Sequence, residues 1–180
     1  MMTTEALPDR HTTARTGPDG QRATLYTPAE RARRDSSVWT IVQGVLAPVQ
    51  FLIFLISLAL VLRTLTTGEG AFAANLSVLA KTFALYAIMV TGSIWEKVVF
   101  GKWLFARPFF WEDVFSMVVI GLHTTYIVML FGGVGSVESR LLVALAGYAA
   151  YFINAGQFLL KLRAARLDAE SMSDAMPVPA

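Results

Sequence analysis

Apolar positions collect into four long runs, at about 38–62, 76–99, 111–131 and 141–162, with short polar breaks between them. Each approaches the roughly 20 residues that a helix needs to cross a ~30 Å hydrocarbon core. The pattern predicts an all-α integral membrane four-helix bundle. Two breaks, TTGEG at 66–70 and GGVGSVES at 132–139, are the short Gly-rich turns that join antiparallel neighbours. The middle connection, FGKWLFARPFF at 100–110, is aromatic, basic and stopped by Pro108, and reads as a segment lying at the membrane surface. Ahead of the first run, TPAE at 27–30 matches a capping box with proline at the first helical position. It predicts a short basic interfacial helix over AERARR, 29–34, resting on an anionic leaflet. Residues 1–25 and 168–180 read as disordered tails, leaving 26–167 as the membrane domain. No repeat is visible. Residues 1–37 contain no apolar leader, so the first run is expected to act as its own insertion signal.

Composition sharpens this. Of 180 residues, 55% are hydrophobic and only 16% charged, and the mean hydropathy is +0.54. A soluble domain of this length could not hide so much apolar surface, so the bilayer serves as solvent. The basic residues set the orientation. Arg10, Arg15, Arg22, Arg31, Arg33 and Arg34 precede the first run; Lys97, Lys102 and Arg107 lie in or beside the middle connection; Lys161, Arg163 and Arg166 end the fourth. The two Gly-rich turns are flanked only by Arg63 and Arg140. The positive-inside rule then predicts that both termini and the middle connection are cytoplasmic. The formal charge of +2 is mild and its basic residues sit beside apolar runs, which argues against a nucleic-acid partner. The absence of cysteine excludes disulfides, cysteine-ligated metal and thiol catalysis.

Polar residues at membrane depth are costly and usually face the bundle interior. Gln43 and Gln50 share a face of the first run, with Pro48 between them expected to kink it. In the third, Glu112, Ser116, Val119 and His123 fall on one face, and His123 lies about 16 Å along the helix from Glu112. In the fourth, Asn154, Gln157 and Lys161 form a stripe beside Tyr148 and Tyr151. Glu96, Glu112 and Asp113, with the ammonium of Lys97 and the amide of Gln43, are expected to converge at the inner boundary. Plainer readings compete with each of these. The acids pair equally well with Lys97, Lys102 and Arg107 among the headgroups. The amides serve as interhelical hydrogen-bond glue, Trp39, Trp95, Trp103 and Trp111 as an aromatic belt, and Lys81 snorkels to the outer interface. His123 is the only histidine in any run, and reads either as a ligand or proton carrier or as a satisfied packing residue. With His11 as the only other histidine, a bis-histidine haem is not expected, and the lack of a repeated polar track disfavours an ion channel.

Four segments carry more: YTPAERARRDSSVWTIVQGVLAPVQFL (26–52), MVTGSIWEKVVFGKWLF (89–105), FFWEDVFSMVVIGLHTTY (109–126) and NAGQFLLKLRAARL (154–167). They resemble the 3-vinyl bacteriochlorophyllide hydratase family of phototrophic bacteria, over about residues 26–167. The resemblance implies a multi-pass hydro-lyase of a bacterial inner or intracytoplasmic membrane. It would add water to the C3-vinyl group of chlorophyllide a, or of a bacteriochlorophyllide precursor, to give a 1-hydroxyethyl group. It implies no cofactor, no metal of the protein's own, and neighbours among other bacteriochlorophyll-synthesis enzymes. Hydration of a vinyl group needs a general acid for the terminal carbon, an acceptor that orients water, and a flat apolar slot for the ring. Burial and like charge nearby both favour the protonated form of a carboxyl group. Glu112 or Glu96 is therefore expected as the acid, with Asp113 or the other glutamate positioning water. Lys97, Lys102 or Arg107 would hold the free propionate, and His123 would ligate the substrate's magnesium or join the proton path. Gln43, Gln50, Asn154 and Gln157 complete the expected substrate-facing polar set. The alternative is a non-enzymatic pigment-binding or assembly protein of photosynthetic membranes.

Overall fold

A computed structural model describes residues 25–174, with side chains through residue 167. It is helical throughout its long elements: α1 Pro28–Ser36, α2 Val38–Thr67, α3 Ala71–Phe100, α4 Phe110–Phe131 and α5 Val137–Asp174, with a single 3-10 turn at Arg107–Phe109 before α4. The last four helices are long and apolar enough to cross a membrane.

The capping box forms as the sequence predicts. The Thr27 side chain accepts from the Glu30 amide, the Glu30 carboxylate accepts from the Thr27 amide at 2.8 Å, and Pro28 opens the helix. Ser37 ends α1 and caps α2 within one residue, its hydroxyl accepting from the Trp39 amide at 3.2 Å. α2 runs without interruption through Pro48. Between α2 and α3 only three residues turn the chain. Gly68 at φ 76° and Gly70 at φ 83° supply left-handed backbone that a side chain would strain.

The helices outrun the apolar stretches that define them. α2 continues five residues past 62, α3 begins five before 76, and α5 starts at Val137 and continues to Asp174, well into the stretch expected as a C-terminal tail. Once a turn is nucleated, polar residues can be added at a helix end at the cost of a few tenths of a kcal/mol each, so hydropathy marks the lipid-immersed part rather than the helix ends. The expected tails at 1–24 and 175–180 lie outside the described residues.

Packing is concentrated within two hairpins, α2–α3 and α4–α5, which meet along α3–α4 and α2–α5. Their shared core is aromatic and β-branched, with Phe54, Val61, Val78, Val119, Tyr126 and Tyr148 at its centre. Small residues permit the closest approach: a Cβ on Gly147 of α5 would stand 2.9 Å from the His123 ring of α4. A second cluster, Tyr26, Val99 and Phe109 with Trp95, Phe100 and Phe158 against it, closes the end of the bundle that carries α1. The Tyr26 ring stacks on Phe100 at 5.8 Å, and the Arg34 guanidinium lies 4.7 Å above the same ring. Burial raises the pKa of the Tyr26 phenol, so this plug stays uncharged near neutrality. Arg33 fastens α1 to it by donating to the Val99 carbonyl at 2.8 Å.

Candidate active site

The three carboxyl groups singled out in the sequence are all buried beside that plug: Glu96 is 5% exposed, Glu112 6% and Asp113 4%. They do not form one cluster of equivalent acids. The carboxyl groups of Glu96, near the end of α3, and Asp113, in the first turn of α4, come within hydrogen-bonding reach of each other. Each also accepts one loop amide: Ala106 N–H donates to Glu96 Oε2 at 3.1 Å, and Phe105 N–H to Asp113 Oδ2 at 2.7 Å. Two successive amides can point the same way only if the chain bends sharply, and Phe105 does so at φ 58°, the one non-glycine residue with positive φ among those described. A carboxylate has acceptors only, so two carboxyl groups bonded to one another hold a proton between them. The pair is contributed by two hairpins and clasped by a loop whose backbone is strained at Phe105.

Glu112 faces differently. Its Oε2 lies 2.6 Å from Lys161 Nζ on α5, and the same ammonium donates to the Pro108 carbonyl. The acids therefore do not pair with Lys97, Lys102 or Arg107 at the headgroups. Lys97 is exposed, donates to the Gly101 carbonyl at 3.0 Å and lies over Trp103, while Lys102 and Arg107 are exposed on the capping loop. The ammonium at the site is Lys161, 49 positions from its partner, where local spacing gives no signal. Gln43 is not part of the site: it donates to Thr91 Oγ1 at 2.7 Å, locking α2 to α3.

The predicted face of α4 is buried as expected, with Ser116, Val119 and His123 following Glu112 inward. Opposite it on α5, Asn154 donates to Ser116 Oγ at 2.9 Å and Gln157 lies one turn from Lys161. Gln50 of α2 is buried too, at 3% exposure. His123 is fully enclosed. Its Nδ1 bonds the Val119 carbonyl at 2.8 Å, so that nitrogen carries the hydrogen and Nε2 is left with a lone pair. Lys81 corrects the sequence reading: it does not snorkel outward but is 0% exposed, with its ammonium 3.6 Å from the centre of the Tyr151 ring. It shares the buried stripe of Ala74, Val78 and Leu85, a stripe that hydropathy hides because the lipid-facing sides of the helix are equally apolar.

Around the capping loop the surface is aromatic. Trp103, Phe105, Phe110 and Trp111 are exposed, with Phe105 and Phe110 rings 5.7 Å apart and Phe110 and Trp111 rings 5.5 Å apart. Trp95 behaves otherwise from the expected belt: its ring packs into the plug and its indole donates to Thr40 Oγ1 at 2.9 Å.

Comparison with known proteins bears on this arrangement. A family model described as 2-vinyl bacteriochlorophyllide hydratase matches residues 26–164, a stretch that holds the plug, the capping loop, the three carboxyl groups and Lys161. The chain is 62% identical over 156 residues to the 2-vinyl bacteriochlorophyllide hydratase of Cereibacter sphaeroides, an alignment covering 87% of this chain and 97% of that one. It is also 62% identical over 150 residues to the protein of the same name from Rhodobacter capsulatus, covering 83% and 87% respectively. No solved structure matches it significantly.

Proposed function

The chain belongs to the 2-vinyl bacteriochlorophyllide hydratase family, and from that premise we propose that the Glu96–Asp113 pair is its proton donor. The protein is a multi-pass hydro-lyase that hydrates the vinyl group of a bacteriochlorophyllide precursor in bacteriochlorophyll synthesis.

The observation that carries the mechanism is the meeting of two buried carboxyl groups from different hairpins, each held by one of two successive loop amides. The pair gives its shared proton to the terminal vinyl carbon, breaking the C=C π bond and leaving a cation on the inner carbon, delocalised into the macrocycle. Water adds its oxygen to that carbon, and its surplus proton returns to the pair. Overall one water is added and the acid is regenerated. The loop amides of Phe105 and Ala106 stay bonded to both carboxyls throughout, which steadies the charge left when the proton departs. Glu112, one residue away, is engaged by Lys161 and holds α4 to α5.

The substrate, chlorophyllide a or a more reduced relative, reaches the pair from the lipid side. Its flat ring lies on the exposed aromatics Trp103, Phe105, Phe110 and Trp111, and its propionate meets Lys102 or Arg107 on the same loop. His123, sealed inside the bundle, is out of reach of a ring docked there and is not its magnesium ligand. The basic end faces the cytoplasm of a bacterial inner membrane, as the Lys and Arg distribution favours.

Membranes carrying the chain are incubated with chlorophyllide a and the pigment is resolved by chromatography and mass spectrometry. The expected product is heavier by one water. Glu96→Gln and Asp113→Asn each lower turnover by about 100-fold or more, the usual worth of a general acid. Near-normal conversion by both variants would remove the pair from the mechanism.

A further inference from the structure

The reaction consumes water at carboxyl groups that are shut away from the membrane surface. On that side the loop amides of Phe105 and Ala106 cover them, and the aromatic plug around Tyr26, Val99 and Phe109 closes the end of the bundle. On the opposite side several polar side chains are buried among the aromatic and β-branched core. Five buried atoms there make no hydrogen bond among the described residues: Gln157 Oε1, Asn154 Oδ1, Gln50 Nε2, Lys81 Nζ and His123 Nε2.

These atoms are ordered in depth. Gln157 is one turn inward from Lys161, and Asn154 is bonded to Ser116, which is one turn inward from Glu112. Gln50 lies one turn from Phe54, whose ring meets Tyr151 at 5.0 Å and Tyr148 at 5.4 Å. Lys81 sits over Tyr151, and His123 packs against Tyr148 at 5.7 Å. The column therefore extends about 16 Å from the acids, the rise from Glu112 to His123. Its chemistry is mixed: Lys81 and the Gln50 amide donate, while His123 Nε2, Gln157 Oε1 and Asn154 Oδ1 accept. A single anion or cation could not satisfy that set. Water can, since it both donates and accepts and needs two to four polar partners.

We infer that the interior of the bundle is a hydrated column bridging Gln157, Asn154, Gln50, Lys81 and His123, and that this column supplies the water added to the vinyl group. The second half rests on the hydratase mechanism above; the first does not. The ring approaches the acids from the lipid side and the water from the core side, so oxygen is delivered to one face of the cation. Gln50, Asn154 and Gln157 are positioning residues for that water.

The two halves are tested separately. X-ray radiolysis of water in the detergent-solubilised full chain generates hydroxyl radicals that oxidise only side chains next to water. Tyr151 and His123 should oxidise at doses that label exposed Trp103, whereas Tyr126, as fully enclosed as His123 and with its hydroxyl bonded to Asn75, should stay unlabelled. If Tyr151 and His123 stay as unreactive as Tyr126, the column is dry and the inference fails, whatever the enzyme does. In the second arm, Gln50→Leu and Gln157→Leu should lower kcat about tenfold, the worth of one hydrogen bond along the water's path, with KM unchanged. Unaltered kcat in both, beside a labelled interior, would overturn the supply role. Failure of the wild-type chain to hydrate any pigment would instead strike the mechanism and leave the labelling result standing.

Discussion

At the scale of the residue, the site depends on one backbone torsion. Phe105 at φ 58° is held where a side chain costs about 1–2 kcal/mol, because only there do its amide and that of Ala106 both reach the acids. Phe105→Gly should therefore keep or slightly raise the melting temperature in detergent, while raising KM through loss of the exposed ring. Phe105→Pro forbids the torsion and deletes the donor to Asp113, and should melt lower. A glycine variant that melts well below wild type would show that the torsion is unstrained. The acids themselves were legible in the sequence as a group; their division was not. Glu112 and Asp113 are adjacent in the chain, yet a 100° turn of the helix sends one to Lys161 on α5 and the other to Glu96 on α3. Such partners come from three-dimensional packing, which spacing along a single helix cannot report.

At the scale of the element, the α4–α5 hairpin packs through Gly147 against an imidazole already anchored to Val119. Gly147→Ala places a methyl group 2.9 Å from two ring atoms that cannot swing away. It should cost about 1–3 kcal/mol, read as a lower melting temperature. His123→Ala should relieve that clash, so the double variant should be less destabilised than the sum of the two singles. Strict additivity would mean that the two do not touch. The helices and the inward face of α4 were readable because a charged or amide residue in lipid has a strong preference for the interior. Lys81 was misread because near a span's end a long side chain has two escapes, outward to the interface or inward to a polar core. Only the rotation of α3 about its axis decides between them. Its neighbours Ala74, Val78 and Leu85 could have marked the stripe, had the lipid-facing residues been any less apolar.

At the scale of the whole molecule, charge and apolar length state the architecture, whereas orientation rests on the Lys and Arg imbalance alone. The lack of cysteine makes that imbalance easy to test. Glu69→Cys and Val134→Cys should be labelled by an impermeant thiol reagent added to intact cells, and Lys102→Cys only after the membrane is opened. The reverse pattern would invert the protein and put the acids on the other side of the membrane.

Glu96 arrives on the first hairpin and Asp113 on the second. During synthesis the ribosome completes one before the other, so neither half alone can carry the shared hydrogen. On the proposed mechanism, chemical competence is therefore also a report on assembly: a nascent chain, or one whose hairpins have slid apart, would be silent rather than half active. The two hairpins made as separate polypeptides would each insert, and activity would return only when they found one another.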